Sequence, residues 1–563
     1  MAKRMKEENK GKGKIILNCC IVIIFLAMLA IVFYLAPDYI VEDYEGKTKV
    51  LINNNNVTVK MKKDVYVDDN NNVFFSLEDV KNYFDKYIEY NEENGEIITT
   101  SEINIAKLST ESNKIDINGE EDTLNSSALK MNDTIYLPFS EISEKVYDVD
   151  LEYIKDTNTI IIDSLDRKQE VANIKEETNL KYKPQTLSRT LKKLEQDDQV
   201  VYLEDDEDWV EVRAKDGTIG YVRKEDIGEL ETVREDREYI TKVDGKVNLV
   251  WDYYSEYVDA PDRSGENMDG VNVVSPSFFS LMRGSNGEIY DNATDGGKEY
   301  VEWAHNNNYQ VWAMFSNNSL IDTTSQILND YDKREKMIED LINLIQEYNV
   351  DGVNVDFENM NVEDKDLYSR FLIELAPRLK KLGKTLSVDV TAPDGSETWS
   401  LCFDRNTIAD LADYIVFMAY DQYGNSSSKE GTTAGYNWVE ANINKFLGQE
   451  DVDADKIILG IPLYMRLWKE ENGEITSKVV NMADIFKNIP ENQVATWDDE
   501  LKQYYVEYEE DGATYKMWLE NERSVGEKIN LAKKYNLAGI AFWEKDRETN
   551  DEFWTFVKDE LNK

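Results

Sequence analysis

The hydrophobic positions of this chain fall into three patterns, and each predicts a different kind of element. Residues 15–36 are apolar apart from Asn18, a length that suits one membrane-spanning helix. From 48 to 229, short alternating runs predict strands joined by Asn-, Asp- and Gly-rich turns. From about 240 to the C-terminus, apolar runs alternate with amphipathic segments, which predicts strands that alternate with helices.

The C-terminal region, 240–563, contains eight apolar runs of strand length. They are KVNLVWDYY, GVNVVSPSFFS, YQVWAMFS, VDGVNVDFE, TLSVDVTAP, DYIVFMAYD, KIILGIPLY and LAGIAFWE. Eight strands separated by helices predict an α/β fold, a closed parallel (β/α)8 barrel. Functional residues are therefore expected at the carboxyl ends of these strands.

Residues 48–170 contain an internal duplication. The segments that start at Val73 (VFFSLEDVKNYF) and Ile135 (IYLPFSEISEKV) each predict a strand, a helix of about ten residues and a hairpin. This duplicated α+β module resembles the stalk-type domain at the N-terminus of copper amine oxidases, without copper ligands. The DDNNNV sequence at 68–73 has the alternation of a calcium loop but Val73 at the glycine position, so a hairpin turn is expected.

The region 179–229 predicts short strands separated by acidic and Asp-Gly turns. The segment with Trp209, followed by GYV at 220–222, resembles a bacterial SH3-like β-barrel. Such a domain serves either as a spacer or as a binder of wall peptide, and the sequence leaves both open.

The N-terminus predicts the topology of the chain. Residues 1–14 carry six basic and two acidic side chains, and acidic residues follow the apolar run at 15–36. By the positive-inside rule the N-terminus is cytoplasmic, the helix is a single-pass anchor in the cell membrane, and the catalytic region is extracytoplasmic. Cys19 and Cys20 are interpreted as small residues of this helix.

Composition excludes several kinds of chemistry. The formal net charge of -48 repels phosphate backbones, so no nucleic acid is expected as a partner. With one histidine and three cysteines the chain cannot assemble the usual zinc sites or His-based triads, and neither metal nor cofactor is expected. Carboxylates, Tyr and Trp remain abundant, which suits glycoside chemistry. We expect the protein to act as a monomer.

The run DGVNVDFEN at 351–359 carries the chemistry. A period of two places Asn354, Asp356 and Glu358 on the face that points into the barrel. Neighbouring acids raise one another's pKa, so Glu358 at the strand end is the predicted proton donor, and internal ion pairing is the structural alternative. Asp356 lies beside the donor, about 6.5–7 Å along the strand, which leaves the acetamido oxygen of the substrate as the nucleophile.

The same run matches the D-x-x-D-x-D-x-E signature of glycoside hydrolase family 18, and FMAYD at 417–421 matches that family's M-x-Y-D. The segment 518–548, which ends in an aromatic strand with Trp543, is similar to the family's closing segment. The resemblance covers roughly 240–560 and implies an enzyme that acts on N-acetylated glycans.

The resemblance also implies roles for single residues. Glu358 would act as acid and then base, and Asp356 would orient the N-acetyl group and stabilise the oxazolinium. Tyr420 would hydrogen-bond the same group, with a core tyrosine as the alternative. Asp421 would contact the −1 sugar or share a hydrogen bond with the acid, and Trp543 would form the floor of the −1 subsite. Asn354 and Met418 are also expected among the substrate-binding residues. Asp351 is expected to be structural.

Two departures from the signature refine the expected substrate. The middle Asp of the motif is Asn354 here, and the S-x-G-G of chitinases is absent from the third strand. The Asn variant is similar to the branch with spore-cortex N-acetylglucosaminidases, so we expect a retaining hydrolase of β-linked N-acetylglucosamine in peptidoglycan. A non-catalytic glycan-binding protein on the same barrel and a chitinase-type hydrolase are the alternatives.

Overall fold

The computed structural model describes residues 23–26, 28, 46–239, 241–255, 258–550 and 552–563. Most of the predicted membrane helix at 15–36 and all of the basic segment 1–14 lie outside these residues. Within the described part of the chain, no helix is long and apolar enough to cross a membrane. The chain forms two compact units: the first ends at Glu238, and the second consists of Tyr239–Lys563 together with the short segment Glu102–Ile105.

The first unit begins with the duplicated module. Each predicted copy folds as a strand, a helix and a hairpin, and the helices are Leu77–Tyr83 and Phe139–Tyr147. Their shared core includes the stacked rings of Phe75 and Phe139, whose centroids are 4.7 Å apart. The strands of this part are Lys49–Ile52, Asn55–Asn56, Tyr66–Val67, Val73–Ser76, Glu89–Tyr90, Glu96–Thr100, Ile105–Ser109, Lys114–Ile117, Glu120–Thr123, Leu129–Met131, Thr134–Leu137, Val149–Ile154 and Thr159–Ser164.

The segment at 68–73 is a hairpin turn, as expected. Tyr66–Val67 pairs antiparallel with Val73 and Phe74, and Asp68 accepts hydrogen bonds from the backbone amides of Asn70 and Asn72. These bonds form an Asx-type turn, in which the Asp68 side chain stabilises the backbone of the hairpin.

The second part of the first unit is one antiparallel sheet of seven strands. They are Gln169–Asn173, Thr178–Lys181, Thr190–Leu194, Gln199–Asp206, Trp209–Ala214, Ile219–Arg223 and Glu231–Arg234. The sheet is wider than the 179–229 region predicted from the sequence, because its first and last strands pair with each other outside that range. The SH3-like assignment stays a prediction.

The second unit contains the predicted barrel. Its eight strands are β1 (Val247–Asp252), β2 (Val273–Pro276), β3 (Gln310–Ser316), β4 (Gly352–Asp356), β5 (Thr385–Val390), β6 (Tyr414–Met418), β7 (Ile457–Pro462) and β8 (Gly539–Trp543). Every neighbouring pair is parallel, and β8 pairs with both β7 and β1, which closes the barrel. The prediction of eight parallel strands is confirmed.

Helices surround the barrel and bury its outer face. They are Gly297–Asn306, Ile321–Leu328, Tyr331–Tyr348, Lys365–Lys381, Arg405–Leu411, Tyr436–Gly448, Ile485–Asn488, Glu522–Lys534 and Glu552–Asn562. On β4, Val353 and Val355 are fully buried against these helices, and so is Phe357 just beyond the strand. The polar residues between them point into the barrel, as the period of two predicts.

Two antiparallel additions interrupt the repeating pattern. A hairpin of Phe279–Leu281 and Ile289–Asp291 extends the sheet beside β3. Between β7 and β8 the chain inserts a five-stranded antiparallel sheet, which the sequence analysis missed. Its strands are Tyr464–Glu471, Glu474–Asn481, Thr496–Asp498, Gln503–Glu510 and Ala513–Leu519.

Candidate active site

The carboxyl end of β4 places the two predicted catalytic acids in the barrel mouth. Asp356 is the last residue of β4 and is 9% exposed, whereas Glu358 lies just beyond the strand and is half-buried. Burial, followed by the negative charges of Asp356 and Asp421, holds the pKa of Glu358 well above its usual range. Burial raises the pKa of Asp356 to about 7. The two acids therefore cannot easily ionise together.

Two polar atoms at the site have no partner within the described residues. They are Oδ1 of Asp356 and the hydroxyl of Tyr420, and both are buried. Burial comes first among the causes that hold the pKa of Tyr420 well above its usual range, so its hydroxyl keeps its proton and can donate. Buried polar atoms without partners are costly, and a ligand with a complementary amide would satisfy both.

Asn354 is fixed at the centre of the barrel by strands on both sides. It is fully buried, and its Oδ1 accepts from Nε1 of Trp251 at 2.7 Å and from Oγ of Ser275 at 3.2 Å. Its Nδ2 donates to Oδ1 of Asp389 at 2.7 Å and to Oγ of Ser387 at 3.1 Å. Asn354 thus joins β4 to β1, β2 and β5 by hydrogen bonds.

Asp389 is a third buried acid that the sequence analysis missed. It lies on β5 and is 1% exposed. Burial and the charge of Asp356 hold its pKa well above the usual range. The signal was present in the sequence, because Ser387 and Asp389 alternate with Leu386, Val388 and Val390 in the same way that Asn354 and Asp356 alternate with valines.

Asn317 is a second residue that was missed. It follows β3 and is fully buried. Its Oδ1 accepts from the backbone amide of Glu358 at 2.9 Å, and its Nδ2 donates to the backbone carbonyl of Glu358 at 2.9 Å. This pair of bonds fixes the backbone that carries the predicted proton donor. No sequence motif marks Asn317, because its partner is 41 residues away.

The end of β6 supplies Met418, Tyr420 and Asp421. Met418 is 7% exposed, and Asp421 is exposed with φ of 53°. Tyr464 donates from its hydroxyl to Oδ1 of Asp421 at 2.8 Å, and Arg466 Nη2 lies 3.9 Å from the same oxygen. The inserted sheet, on which Tyr464 and Arg466 lie, thus orients Asp421.

Trp543 at the end of β8 is half-buried and contacts aromatic rings from β1 and the residue after it. Its ring centroid is 5.7 Å from that of Trp251 and 5.8 Å from that of Tyr253, which is 52% exposed. Tyr253 was not predicted. Aromatic faces that are open on one side suit the apolar face of a sugar ring.

Asp351, which was expected to be structural, directly precedes β4 and contacts neighbouring elements. Oδ2 of Asp351 lies 2.8 Å from Nε2 of His305 and accepts from the backbone amide of Val311 at 2.8 Å. It therefore joins the start of β4 to its neighbours. Internal ion pairing of Asp356 and Glu358 finds no support, since no ion pair within the described residues includes either carboxylate.

These positions coincide with a family-model match. Residues 250–548 match glycosyl hydrolases family 18. The chain belongs to glycoside hydrolase family 18. A second match, over residues 51–162, is to the copper amine oxidase N-terminal domain, which agrees with the resemblance of the duplicated module.

Curated relatives match part of this chain at low identity. The chain is 26% identical to the "Uncharacterized glycosylase YvbX" of Bacillus subtilis over 51% of this chain and 84% of that protein. It is also 26% identical to the "Cortical fragment-lytic enzyme" of Bacillus anthracis, over 39% of this chain and 52% of that protein. The match therefore spans about half the length of the cortical enzyme.

Solved structures of similar fold include a chitinase from Chromobacterium violaceum. It is 22% identical, and the alignment covers 57% of this chain and 100% of that chain with a TM-score of 0.49.

Proposed function

We propose that this family 18 barrel hydrolyses β-linked N-acetylglucosamine in peptidoglycan, of the cell wall or the spore cortex, with retention of configuration. The observation that carries the proposal is the pair of buried atoms without partners in the described residues, Oδ1 of Asp356 and the Tyr420 hydroxyl, beside Glu358, whose pKa burial raises. An N-acetyl group satisfies both, because its N–H donates to the carboxylate and its oxygen accepts from the hydroxyl.

Substrate assistance follows from the placement of the two acids on one strand. In the usual retaining scheme a second carboxylate attacks from across the scissile bond, with the two carboxyl groups about 5–5.5 Å apart. Asp356 precedes Glu358 by two residues and lies on the same side of the substrate. The acetamido oxygen is then the nucleophile, and the resulting oxazolinium is stabilised by the Asp356 carboxylate.

The mutual repulsion of the two acids supports these roles. A general acid must hold its proton at the working pH, and burial together with two negative neighbours raises the pKa of Glu358 well above its usual range. Because two close acids cannot easily ionise together, Glu358 holds the proton and Asp356 supplies the negative charge. After departure of the leaving group, Glu358 takes a proton from the water that opens the oxazolinium, which restores the starting state.

Peptidoglycan is favoured as the substrate by the relatives and by one residue. The curated relatives include a cortical fragment-lytic enzyme, and the motif carries Asn354 in place of the usual Asp. The glycan is the proposed partner, and the barrel acts as a monomer without cofactor or metal, since every proposed step uses its own side chains.

We further propose that 15–36 is a membrane anchor that holds the barrel outside the cell. Its 22 residues and the basic segment before it support this topology. Deletion of 2–36 should release the protein from membranes that otherwise retain it after alkaline extraction. Retention of the deleted protein in the membrane fraction would contradict the anchor.

The decisive experiment uses the full chain in detergent on vegetative peptidoglycan, cortex peptidoglycan and chitin oligomers, with reducing ends identified by mass spectrometry. Glu358→Gln is the test variant, and Glu363→Gln, an exposed acid on the following 3-10 helix, is the matched control. We expect new N-acetylglucosamine ends from peptidoglycan that are lost only in Glu358→Gln.

Other outcomes have definite meanings. Cleavage of chitin oligomers alone would make the enzyme a chitinase-type hydrolase. Binding of glycan without cleavage by the unaltered chain would make it a glycan-binding protein. Equal cleavage of a glycan that lacks N-acetyl groups would contradict substrate assistance.

A further inference from the structure

The orientation of the Asn354 amide is determined by its neighbours. The indole Nε1 of Trp251 is a donor only, so the atom of Asn354 that lies 2.7 Å away must be the oxygen. The Nδ2 group then faces β5, where it lies 2.7 Å from Oδ1 of Asp389. Position 354, which holds an acid in the family motif, is thus occupied by an amide that hydrogen-bonds an acid on the next strand.

Within the described residues Asp389 faces acids, tyrosine hydroxyls and the N–H groups of Asn354 and Trp251, but no cation. The hydrogen bonds from Asn354 and Trp251 lower its pKa, but burial and the charge of Asp356 outweigh them. The titratable groups around it are Asp356 and Glu358 at the end of β4, Tyr420 after β6 and Tyr368 on the helix Lys365–Lys381. No ion pair of the described residues includes Asp389, and its side chain is 1% exposed. A buried carboxylate in such surroundings is costly, and two neighbouring carboxylates cannot easily ionise together.

We propose that Asp389 remains protonated in the working enzyme and replaces, from β5, the acid that the family motif carries at position 354. Asp389 is a positioning residue that acts through Asn354 and through its own neutrality. When Asp389 is neutral, Asp356 carries the single negative charge among the three acids Asp356, Glu358 and Asp389. This is the charge that stabilises the positively charged oxazolinium. This inference rests on the proposed function only in its two kinetic tests, because the infrared test needs no substrate.

The surroundings of the two carboxyl groups agree with this assignment. Burial raises the pKa of both Asp356 and Asp389, and the charge of Asp356 raises the pKa of Asp389 further. Because two neighbouring acids cannot easily ionise together, a negative charge on Asp356 favours the proton on Asp389. An amide at 354 cannot hold a titratable proton, so a neutral acid in this part of the barrel must come from another residue.

The first test is the pH profile of kcat/KM for Asp389→Asn, with Asp366→Asn on an exposed helix turn as the control. We expect a loss of up to about tenfold at the optimum. The acid limb should stay in place, and the alkaline limb should move to higher pH, because Asp389 can no longer ionise. A shift of the acid limb to lower pH would show that Asp389 is normally charged. If both limbs kept their pH positions, the role of Asp389 would be purely structural. Either result would overturn the proposal.

The second test moves the acid between strands. Asn354→Asp alone places two acids in contact at the 2.7 Å bond and should lower kcat/KM by more than tenfold. The double variant Asn354→Asp with Asp389→Asn restores one acid and one amide, so we expect recovery to within about threefold of the unaltered enzyme. A double variant no better than Asn354→Asp would contradict the exchange of roles.

The third test needs no substrate. Infrared difference spectra of the full chain at neutral pH, unaltered minus Asp389→Asn, should contain the C=O band of a protonated carboxylic acid. A carboxylate band in its place would overturn the proposal even if the enzyme cleaved peptidoglycan. Conversely, an acid band in a protein that cleaves no glycan would retain this inference while the proposed function failed.

Discussion

At the scale of the residue, Glu358 is distinguished from Asp356 by its surroundings. Asp356 ends β4 and is 9% exposed, whereas Glu358 is half-buried beyond the strand and also faces the negative charge of Asp421. Burial raises the pKa of both carboxyl groups, and the proposed function assigns the proton to Glu358 and the negative charge to Asp356.

The role proposed for Glu358 predicts that the loss of activity in Glu358→Gln depends on the leaving group of the substrate. Glu358→Gln should lower kcat/KM on glycan by about 10²–10⁴-fold, the usual contribution of a general acid. An aryl N-acetylglucosaminide whose leaving group needs no proton should lose far less in bond cleavage. Parallel assays of both substrates check this, and equal losses would argue against proton donation by Glu358.

Asn317 predicts a second effect at this scale. Its two 2.9 Å bonds hold the backbone of Glu358, so Asn317→Ala should lower kcat by about 10–100-fold while the fold remains intact. Asn406→Ala, an exposed position on the helix Arg405–Leu411, is the control. Steady-state kinetics with circular dichroism separate lost positioning from lost folding, and unchanged kcat would show that the clamp is dispensable.

At the scale of the element, the inserted sheet is joined to the barrel by a buried polar network. Lys528 on the helix Glu522–Lys534 donates to both oxygens of Glu520 at 3.0 Å, and Gln503 of the inserted sheet donates to the same carboxylate at 2.5 Å. Glu520 is 0% exposed and Lys528 1%. This network positions the sheet that orients Asp421.

Removal of one partner should be costly. Lys528→Met leaves the Glu520 charge buried without its cation and should lower the free energy of unfolding by about 3–5 kcal/mol. The double variant with Glu520→Gln should recover part of this loss, because the uncompensated charge is gone. Urea denaturation of the unaltered protein and of both variants measures the two effects, and a Lys528→Met variant as stable as the unaltered protein would contradict the network's role.

At the scale of the whole molecule, the acids of the barrel link stability to pH. The folded-state pKa values of Asp356, Glu358 and Asp389 are all raised by burial. An acid that binds its proton more tightly when folded stabilises the protein fully below its unfolded pKa of about 4, and this contribution is lost as pH rises through the folded pKa.

The sign of this linkage gives a thermal prediction. Glu358→Gln removes one group that must stay protonated or be buried as a charge, so it should raise the Tm at pH 8 and change it little at pH 4. Calorimetry at the two pH values, with Glu363→Gln as the control, checks this. A Tm gain of the same size at pH 4 would place the cause in packing instead of ionisation.

The sequence by itself determined the elements that repeat and the faces they bury. Period-two alternation in the run at 351–359 placed Asn354, Asp356 and Glu358 inside the barrel, because strand geometry is local and burial selects apolar neighbours. Eight apolar runs with helices between them fixed the parallel barrel for the same reason.

Tertiary structure alone decided which side chains meet. Asn317 contacts Glu358 across 41 positions of the chain, and Asn354 contacts Asp389 across 35 positions. Both contacts depend on the register of neighbouring strands. The inserted sheet escaped prediction because its strands have exposed polar alternation and lie between two barrel strands. Such contacts have no local pattern, since hydrogen bonds and pKa shifts depend on distance in space and not on spacing along the chain.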